Sequence, residues 1–264
     1  MHNQESVVKD LIAEANELEQ LLVTLDDAQW RLATPAPGWT IAHQVGHLVA
    51  DFHLAGLAAS DPAAFRAVSS RLGKSFDSKV DAALEWYLDR PAQELLTRWR
   101  AELELATRAL VALPADEPVP WLSRPLTASI LACAGIMELF AHGQDIYDTL
   151  GLGRTYTDRV RHVVAFSLGN WEAGYLARGL TPPAVKVRFE LSAPSGAVWQ
   201  FGPAGAPQRI TGPAVDFCLL TTRRRHRADL QVTAVGREAD AWLDIAQAYR
   251  GDPGTGRAPG QFRT

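Results

Sequence analysis

Apolar positions along the first two thirds of the chain recur with the period of an α-helix. From about Val7 to Leu25 they are spaced three or four residues apart, which is one face of an amphipathic helix. The same rhythm predicts further helices over about 40–58, 92–113, 126–150 and 158–177, with a shorter, less regular helical insert over 61–90. Because prolines and glycines separate these segments, they predict a helical bundle.

The pattern changes after Pro182 and Pro183. "VKVRFEL" and "AVWQFG" are typical of strands joined by the turn "SAPSG", which predicts a hairpin. "AVDFCLLTT" fits either a buried helix or a strand, "ADLQVTAVG" a strand and "READAWLDIAQAYR" a helix. We therefore expect a mainly α protein, with a four-helix bundle over 1–180, a small α+β domain over 184–250 and a flexible tail over 251–264.

The helix predicted over 126–150 is apolar on most of its circumference, which indicates burial. Glu138, His142 and Asp145 nevertheless fall within one narrow sector of it, because they are spaced four and three residues apart. A buried carboxylate without a partner is costly. This polar stripe must therefore meet cations, hydrogen-bond donors or a metal ion.

The helix predicted over 40–58 offers a complement. His43, His47 and Asp51 follow one another at steps of four, away from its apolar stripe. One histidine from this helix, together with Glu138 and His142, would leave coordination positions open on a divalent ion, as in catalytic zinc sites. Zinc is the first expectation, although Ni, Co or Fe accept the same ligands. The alternative is that the histidines are solvated and that Glu138–His142 is an ordinary intrahelical pair.

Composition and charge narrow the classes of molecule that this protein is expected to bind. Net charge is −4 and the pI is about 6.0, which gives no electrostatic reason to expect nucleic acid or an anionic membrane. No apolar run approaches the roughly 20 residues of a membrane span, and the charged N-terminus does not resemble a signal peptide. Cys133 and Cys218 lie in apolar runs, as buried cysteines of a reducing compartment do. We expect a cytoplasmic monomer or homodimer with a small-molecule substrate.

"PGWTIAHQVGHLVADF" and "MELFAHGQDIYDTLG" resemble the DinB-like metal-binding superfamily. More narrowly, the chain resembles the mycothiol-dependent maleylpyruvate isomerase-like group, which carries a sterol-carrier-protein-like C-terminal domain. This resemblance implies His47, Glu138 and His142 as metal ligands and mycothiol as a cosubstrate. "GPAVDFCLLTTRRRHRADL" resembles the helix of that domain that ends in a Gly-Arg pair. The match implies that Arg224 is catalytic and that Arg223 stands where the group has glycine.

Two features depart from the resembled pattern. His43 is not part of it, and we consider this residue an alternative ligand or, like Asp145, a group that transfers a proton. Gly135 stands where relatives often have arginine, which, with the insert at 61–90, favours a different substrate or cosubstrate.

Three hypotheses of function follow. The first is a zinc-dependent enzyme, a mycothiol-dependent S-transferase or isomerase acting on a small organic molecule. The second is a thiol-independent, metal-dependent hydrolase, lyase or cyclase. The third is a non-catalytic protein that binds a metal or a ligand.

Overall fold

The first part of the chain forms the bundle that its apolar periodicity predicts. In the computed structural model, which describes residues 4–88 and 90–262, residues Met1–Arg154 make up one of two compact units. Its elements are α1 (Gln4–Leu22), α2 (Asp27–Trp30), α3 (Ile41–Ser60), α4 (Pro62–Leu72), α5 (Phe76–Leu84), α6 (Ala92–Val111), the short strands β1 (Pro118–Val119) and β2 (Leu126–Thr127), and α7 (Ala128–Leu150). The four long helices α1, α3, α6 and α7 carry the core.

Helix α3 packs against both α6 and α7, and α1 also packs against these two helices. Gly56 of α3 lies directly against the backbone of α6, where a Cβ atom would come within 3.2 Å of the Ala106 nitrogen. Further along, the Phe52 ring meets the Trp99 ring edge-on at 5.2 Å. This close packing fixes the face of α3 that is turned toward α7.

The insert expected at 61–90 is helical as far as it is described. Helices α4 and α5 and a 3-10 turn at Glu85–Tyr87 pack on α3. Asp61 and Ser75 cap the two helices by accepting hydrogen bonds from their first-turn amides. The insert thus adds a layer over α3.

The second unit, Thr155–Thr264, is a small α+β fold. Its elements are α8 (Val160–Gly169), α9 (Ala173–Leu176), β3 (Val187–Ser192), β4 (Val198–Phe201), β5 (Gln208–Pro213), α10 (Ala214–Thr221), β6 (Thr233–Val235) and α11 (Arg237–Ile245). The sheet order is β4-β3-β5-β6, with β3 parallel to β5 and the other pairs antiparallel. The hairpin of β3 and β4 is confirmed. The segment left open as helix or strand is helix α10, and strand β5 was missed.

The segment 158–177, expected as one helix of the bundle domain, forms two helices of the second unit. Asn170 ends α8 with its backbone and side-chain nitrogens bonded to carbonyl groups of the last turn. Helix α8 is joined to α10 by a hydrogen bond between the Ser167 and Thr221 hydroxyls at 2.9 Å. Helix α8 therefore belongs to the unit that begins at Thr155, where it packs on α10, and the domain boundary near residue 180 stays a prediction.

The described part of the expected tail, residues 251–262, contains neither helix nor strand. It contacts its own unit, since the Gly260 amide donates to the Asp229 carboxylate and Arg225 lies over the Phe262 ring at 4.4 Å. Its flexibility stays a prediction. Over the described residues, none of the helices combines the length and apolarity that crossing a bilayer requires.

Candidate metal centre

Three predicted ligands from two helices come together inside the bundle. The Nε2 atoms of His47 on α3 and His142 on α7 lie 3.6 Å and 3.1 Å, respectively, from the same Oε2 atom of Glu138. One ligand atom from each residue lies within 4.8 Å of the other two. The structure therefore brings together the acid and the two imidazoles that the sequence pattern placed on separate helices.

The donor set fits a divalent cation. Ligands held at about 2.0–2.2 Å around a tetrahedral ion are about 3.4 Å from each other, close to the two distances observed here. Two imidazole nitrogens and one carboxylate suit zinc and its neighbours in the first transition row. Three protein ligands leave a position for an exogenous molecule, which is the arrangement of a catalytic site rather than a structural one.

Gln44 orients His142, a role that the sequence reasoning missed. The Gln44 amide nitrogen lies 2.9 Å from the Thr34 hydroxyl and 3.5 Å from the Asp145 carboxylate. Because Thr34 donates its own proton to the Trp39 carbonyl at 2.9 Å, the hydroxyl must accept from Gln44. The Gln44 Oε1 atom then faces Nδ1 of His142 and accepts a hydrogen bond from the N–H group there. Nε2 of His142 is left as the lone-pair donor toward the site.

Asp145 contacts Gln44 and is not one of the three residues whose ligand atoms converge. It is completely buried on α7. Its carboxylate, with Thr34, fixes which end of the Gln44 amide faces His142. We therefore describe Asp145 as a positioning residue. The signal for Gln44 was present in the sequence, as a polar residue three positions before His47 on a largely apolar helix.

Trp39, immediately before the N-cap of α3, contacts both imidazoles. Its ring meets the His47 ring edge-on at 5.4 Å and stacks on the His142 ring at 5.7 Å. The two imidazole rings are themselves 4.4 Å apart. An indole in this position restrains the rotation of both histidines and removes water from one side of the triad.

A second carboxylate lies beside the triad. Asp51, one turn after His47 on α3, places Oδ2 3.3 Å from the His47 Nε2 atom. Burial, opposed by His47 and reinforced by Glu138, raises the pKa of Asp51 to about 7. Burial also acts to raise the pKa of Glu138, but hydrogen bonds and charge from His142 and His47 outweigh it and hold that pKa well below its usual range. Glu138 is therefore the carboxylate that stays ionised.

His43 makes a different set of contacts. Its Nδ1 lies 2.7 Å from the Thr40 hydroxyl and 3.3 Å from the Thr40 amide, so that the two residues form a capping box at the start of α3. His43 shares a helix face with His47, but this local contact directs its ring to the helix terminus. The Nδ1 atom of His53 lies 3.1 Å from the Glu102 carboxylate of α6.

The arginine pair after α10 lies in the second unit. Arg223 has φ +59°, the only positive φ outside glycine among residues 4–88 and 90–262. This conformation fits a position where the resembled group carries glycine. Arg224 is buried and donates from Nη1 to the Thr222 carbonyl at 2.7 Å.

Both cysteines are buried, in agreement with their apolar sequence context. Burial raises the pKa of the Cys133 thiol to about 12 and that of Cys218 well above its ordinary value. Neither side chain therefore supplies a thiolate near neutral pH.

Comparison with known proteins identifies the family of this chain. The family model described as the mycothiol maleylpyruvate isomerase N-terminal domain matches residues 11–147, which is more than half of the chain. The chain belongs to this family. The matched range includes His47, Glu138 and His142, and the match confirms the resemblance drawn from the two sequence motifs.

Two uncharacterized proteins of Mycobacterium tuberculosis, from two strains, are each 42% identical to this chain over 251 residues. These alignments cover 95% of this chain and 97% of each relative. Two crystal structures of mycothiol-dependent maleylpyruvate isomerase, one of them a histidine-to-alanine mutant, match with a TM-score of 0.57 at 13% identity. These matches cover 100% of this chain and 98% of each matched chain. At 13% identity, they establish the mainly α fold with its small C-terminal domain.

Gly135 is the clearest departure near the site. A Cβ atom here would come within 3.1 Å of Leu11 on α1. The Leu11 side chain therefore occupies the space next to this position of α7.

Proposed function

We propose that this protein is a metal-dependent enzyme that acts on a small organic molecule, as an S-transferase or isomerase using a low-molecular-weight thiol such as mycothiol. The observation that carries the proposal is the convergence of His47, Glu138 and His142 within 4.8 Å. Membership of the mycothiol maleylpyruvate isomerase family supports the choice of thiol. Zinc is the metal that we expect first from two imidazoles and one carboxylate.

A divalent ion held by these three residues would supply Lewis acidity, which lowers the pKa of a bound thiol or water. The protein's own contribution is orientation. Gln44 holds the His142 ring through Nδ1, and Asp145 and Thr34 hold Gln44. In this proposal Arg224 of the second unit binds an anionic group of the substrate, because a guanidinium pairs with carboxylates in two parallel hydrogen bonds.

Gly135 favours a second candidate. With Leu11 in the space beside it, this position offers no cationic side chain to an anionic cosubstrate. A thiol-independent hydrolase, lyase or cyclase that uses the same triad is the alternative that fits this difference.

Elemental analysis of the purified protein tests the metal site. We expect about one equivalent of a transition metal in the wild type and less than about a tenth of that in His47→Ala and Glu138→Gln, because each removes one of three ligands. His53→Ala is the matched control, since this histidine lies on the same helix but bonds Glu102. A metal content equal in all four proteins, or absent from all, would contradict the proposal.

Calorimetry with mycothiol distinguishes the two candidates. The thiol enzyme predicts saturable heat with the metal-loaded protein, lost after chelation and lost in His142→Ala. Metal-loaded protein that releases no heat with mycothiol would leave the thiol-independent candidate in its place.

A further inference from the structure

Two segments of the second unit lie against each other. Residues 222–230, which we call the arginine loop, lie between α10 and β6. Residues 251–262, which we call the strap, follow α11 and contain neither helix nor strand. The Ala248 amide, shortly before the strap, donates to the Thr221 carbonyl, shortly before the loop, at 2.8 Å. The loop and the strap therefore start close together.

The arginine loop contains a backbone conformation that needs support. Arg223 has φ +59°, and a residue with a side chain keeps this left-handed conformation only where its surroundings hold it. The strap is part of those surroundings. The Gly254 carbonyl lies 3.5 Å from Nη2 of Arg223, and a Cβ atom on Gly256 would come within 2.7 Å of the same nitrogen. The strap therefore passes in direct contact with the Arg223 side chain.

Two further contacts join the strap to the loop beyond Arg224. The Arg225 guanidinium lies over the Phe262 ring, 4.4 Å from its centroid, which is a cation–π contact. The Gly260 amide donates to the Asp229 carboxylate, at 2.9 Å and 2.8 Å from its two oxygens. With the Arg223 contact, the strap thus holds the loop on both sides of Arg224.

The loop and the strap meet at separate points and not through a packed core. A cavity of about 170 Å³ is lined by loop residues, among them Arg223 and Arg225, and by residues 255–257 of the strap. Phe262 itself is half-buried and lies outside the buried core. Loss of one of these contacts is therefore expected to loosen the loop locally and leave the rest of the unit folded.

From these contacts we infer that the strap is a positioning element for Arg224. Arg224 is buried and donates to the Thr222 carbonyl at 2.7 Å, so the place of its guanidinium depends on the backbone of the loop. The role of Arg224 toward an anionic group of the substrate rests on the proposed function. The hold of the strap on the loop does not, because it involves residues of the second unit alone.

Hydrogen exchange and arginine modification of the full-length chain test this inference. In Phe262→Ala we expect the amides of residues 222–230 to exchange about tenfold faster or more, because Arg225 loses the aromatic face that holds it. We expect phenylglyoxal to modify Arg224 about tenfold faster as well, since a loosened loop exposes this buried side chain. Mass spectrometry of peptides assigns both rates. The amides of α8 should exchange at the wild-type rate.

Two further variants separate positioning from a general loss of structure. Phe262→Tyr keeps the ring and should restore both rates. Trp199→Ala is the matched control, since Arg161 of α8 lies over the Trp199 ring of β4 at 5.8 Å in the same unit. We expect this control to leave the rates of residues 222–230 unchanged.

Unchanged loop exchange in Phe262→Ala, or an equal acceleration in Trp199→Ala, would overturn the inference. Faster loop exchange without faster modification of Arg224 would overturn the positioning of Arg224. A wild-type protein that holds no metal would contradict the proposed function but would leave these rates as they are, so the two failures are distinguishable.

Discussion

At the scale of single residues, the candidate metal centre depends on a glutamine as much as on its ligands. Gln44 is fully buried, and its two ends face chemically different partners. The Thr34 hydroxyl and the Asp145 carboxylate fix which end is which, and the choice sets the tautomer of His142. A ligand held in one tautomer binds metal more tightly than one that rotates freely.

Gln44→Leu is expected to weaken metal binding by about 10–100-fold, because His142 loses the acceptor at Nδ1. Competition with a chromogenic chelator measures the affinity. Gln144→Leu is the matched control, since Gln144 is also buried in the bundle but donates to Asp148. Equal losses of affinity in the two variants would mean that Gln44 acts only through stability.

At the scale of elements, the start of α3 decides which histidine reaches α7. Thr40 and His43 close the first turn with reciprocal hydrogen bonds, and the helix then presents Gln44, His47 and Asp51 toward the polar stripe of α7. His43 and His47 are four residues apart, and sequence spacing alone does not choose between them.

His43→Ala is expected to lower the free energy of unfolding by about 0.5–1 kcal/mol through the lost capping contact, with full metal content. Urea denaturation and elemental analysis of the same preparation measure the two effects. His47→Ala is the comparison, for which we expect loss of metal. A His43→Ala protein purified without metal would restore His43 as a ligand.

At the scale of the molecule, a buried ion pair joins the first helix of the first unit to the segment that follows α7. Arg154, just after α7, reaches Glu14 on α1 at 2.6 Å and donates to the Phe140 carbonyl at 2.7 Å. The pair is 3% and 9% exposed, whereas Arg100 and Glu19 form a pair on the surface, 51% and 19% exposed. The buried pair therefore fastens α1 over the helix that carries Glu138 and His142.

Glu14→Ala is expected to destabilise the protein by about 3–5 kcal/mol, because it leaves the charge of Arg154 buried without this carboxylate. Glu19→Ala, on the same helix, should cost less than about 1 kcal/mol, since an exposed pair is screened by water. Thermal unfolding of both variants provides the measurement. Similar losses would show that burial of the Glu14 pair does not set its contribution.

Most of the fold followed from local rules that the sequence contains. Apolar period, prolines and glycines predicted the bundle helices and the hairpin, because these depend on residues close together in the chain. Strand β5 and the break between α8 and α9 were missed. The Gln208–Pro213 strand has a weak alternating pattern and is defined by pairing with β3, while α8 is defined by its packing on α10.

The sequence by itself determined that Glu138 and His142 share one face of a buried helix, since 3.6 residues per turn leaves residues four apart no other arrangement. Only the tertiary structure decided that His47 meets them, that Gln44 orients His142 and that His43 caps its own helix. These outcomes depend on how packing against α6 and α7 rotates α3 about its axis. That rotation is set by contacts between residues distant in the chain, which no local periodicity contains.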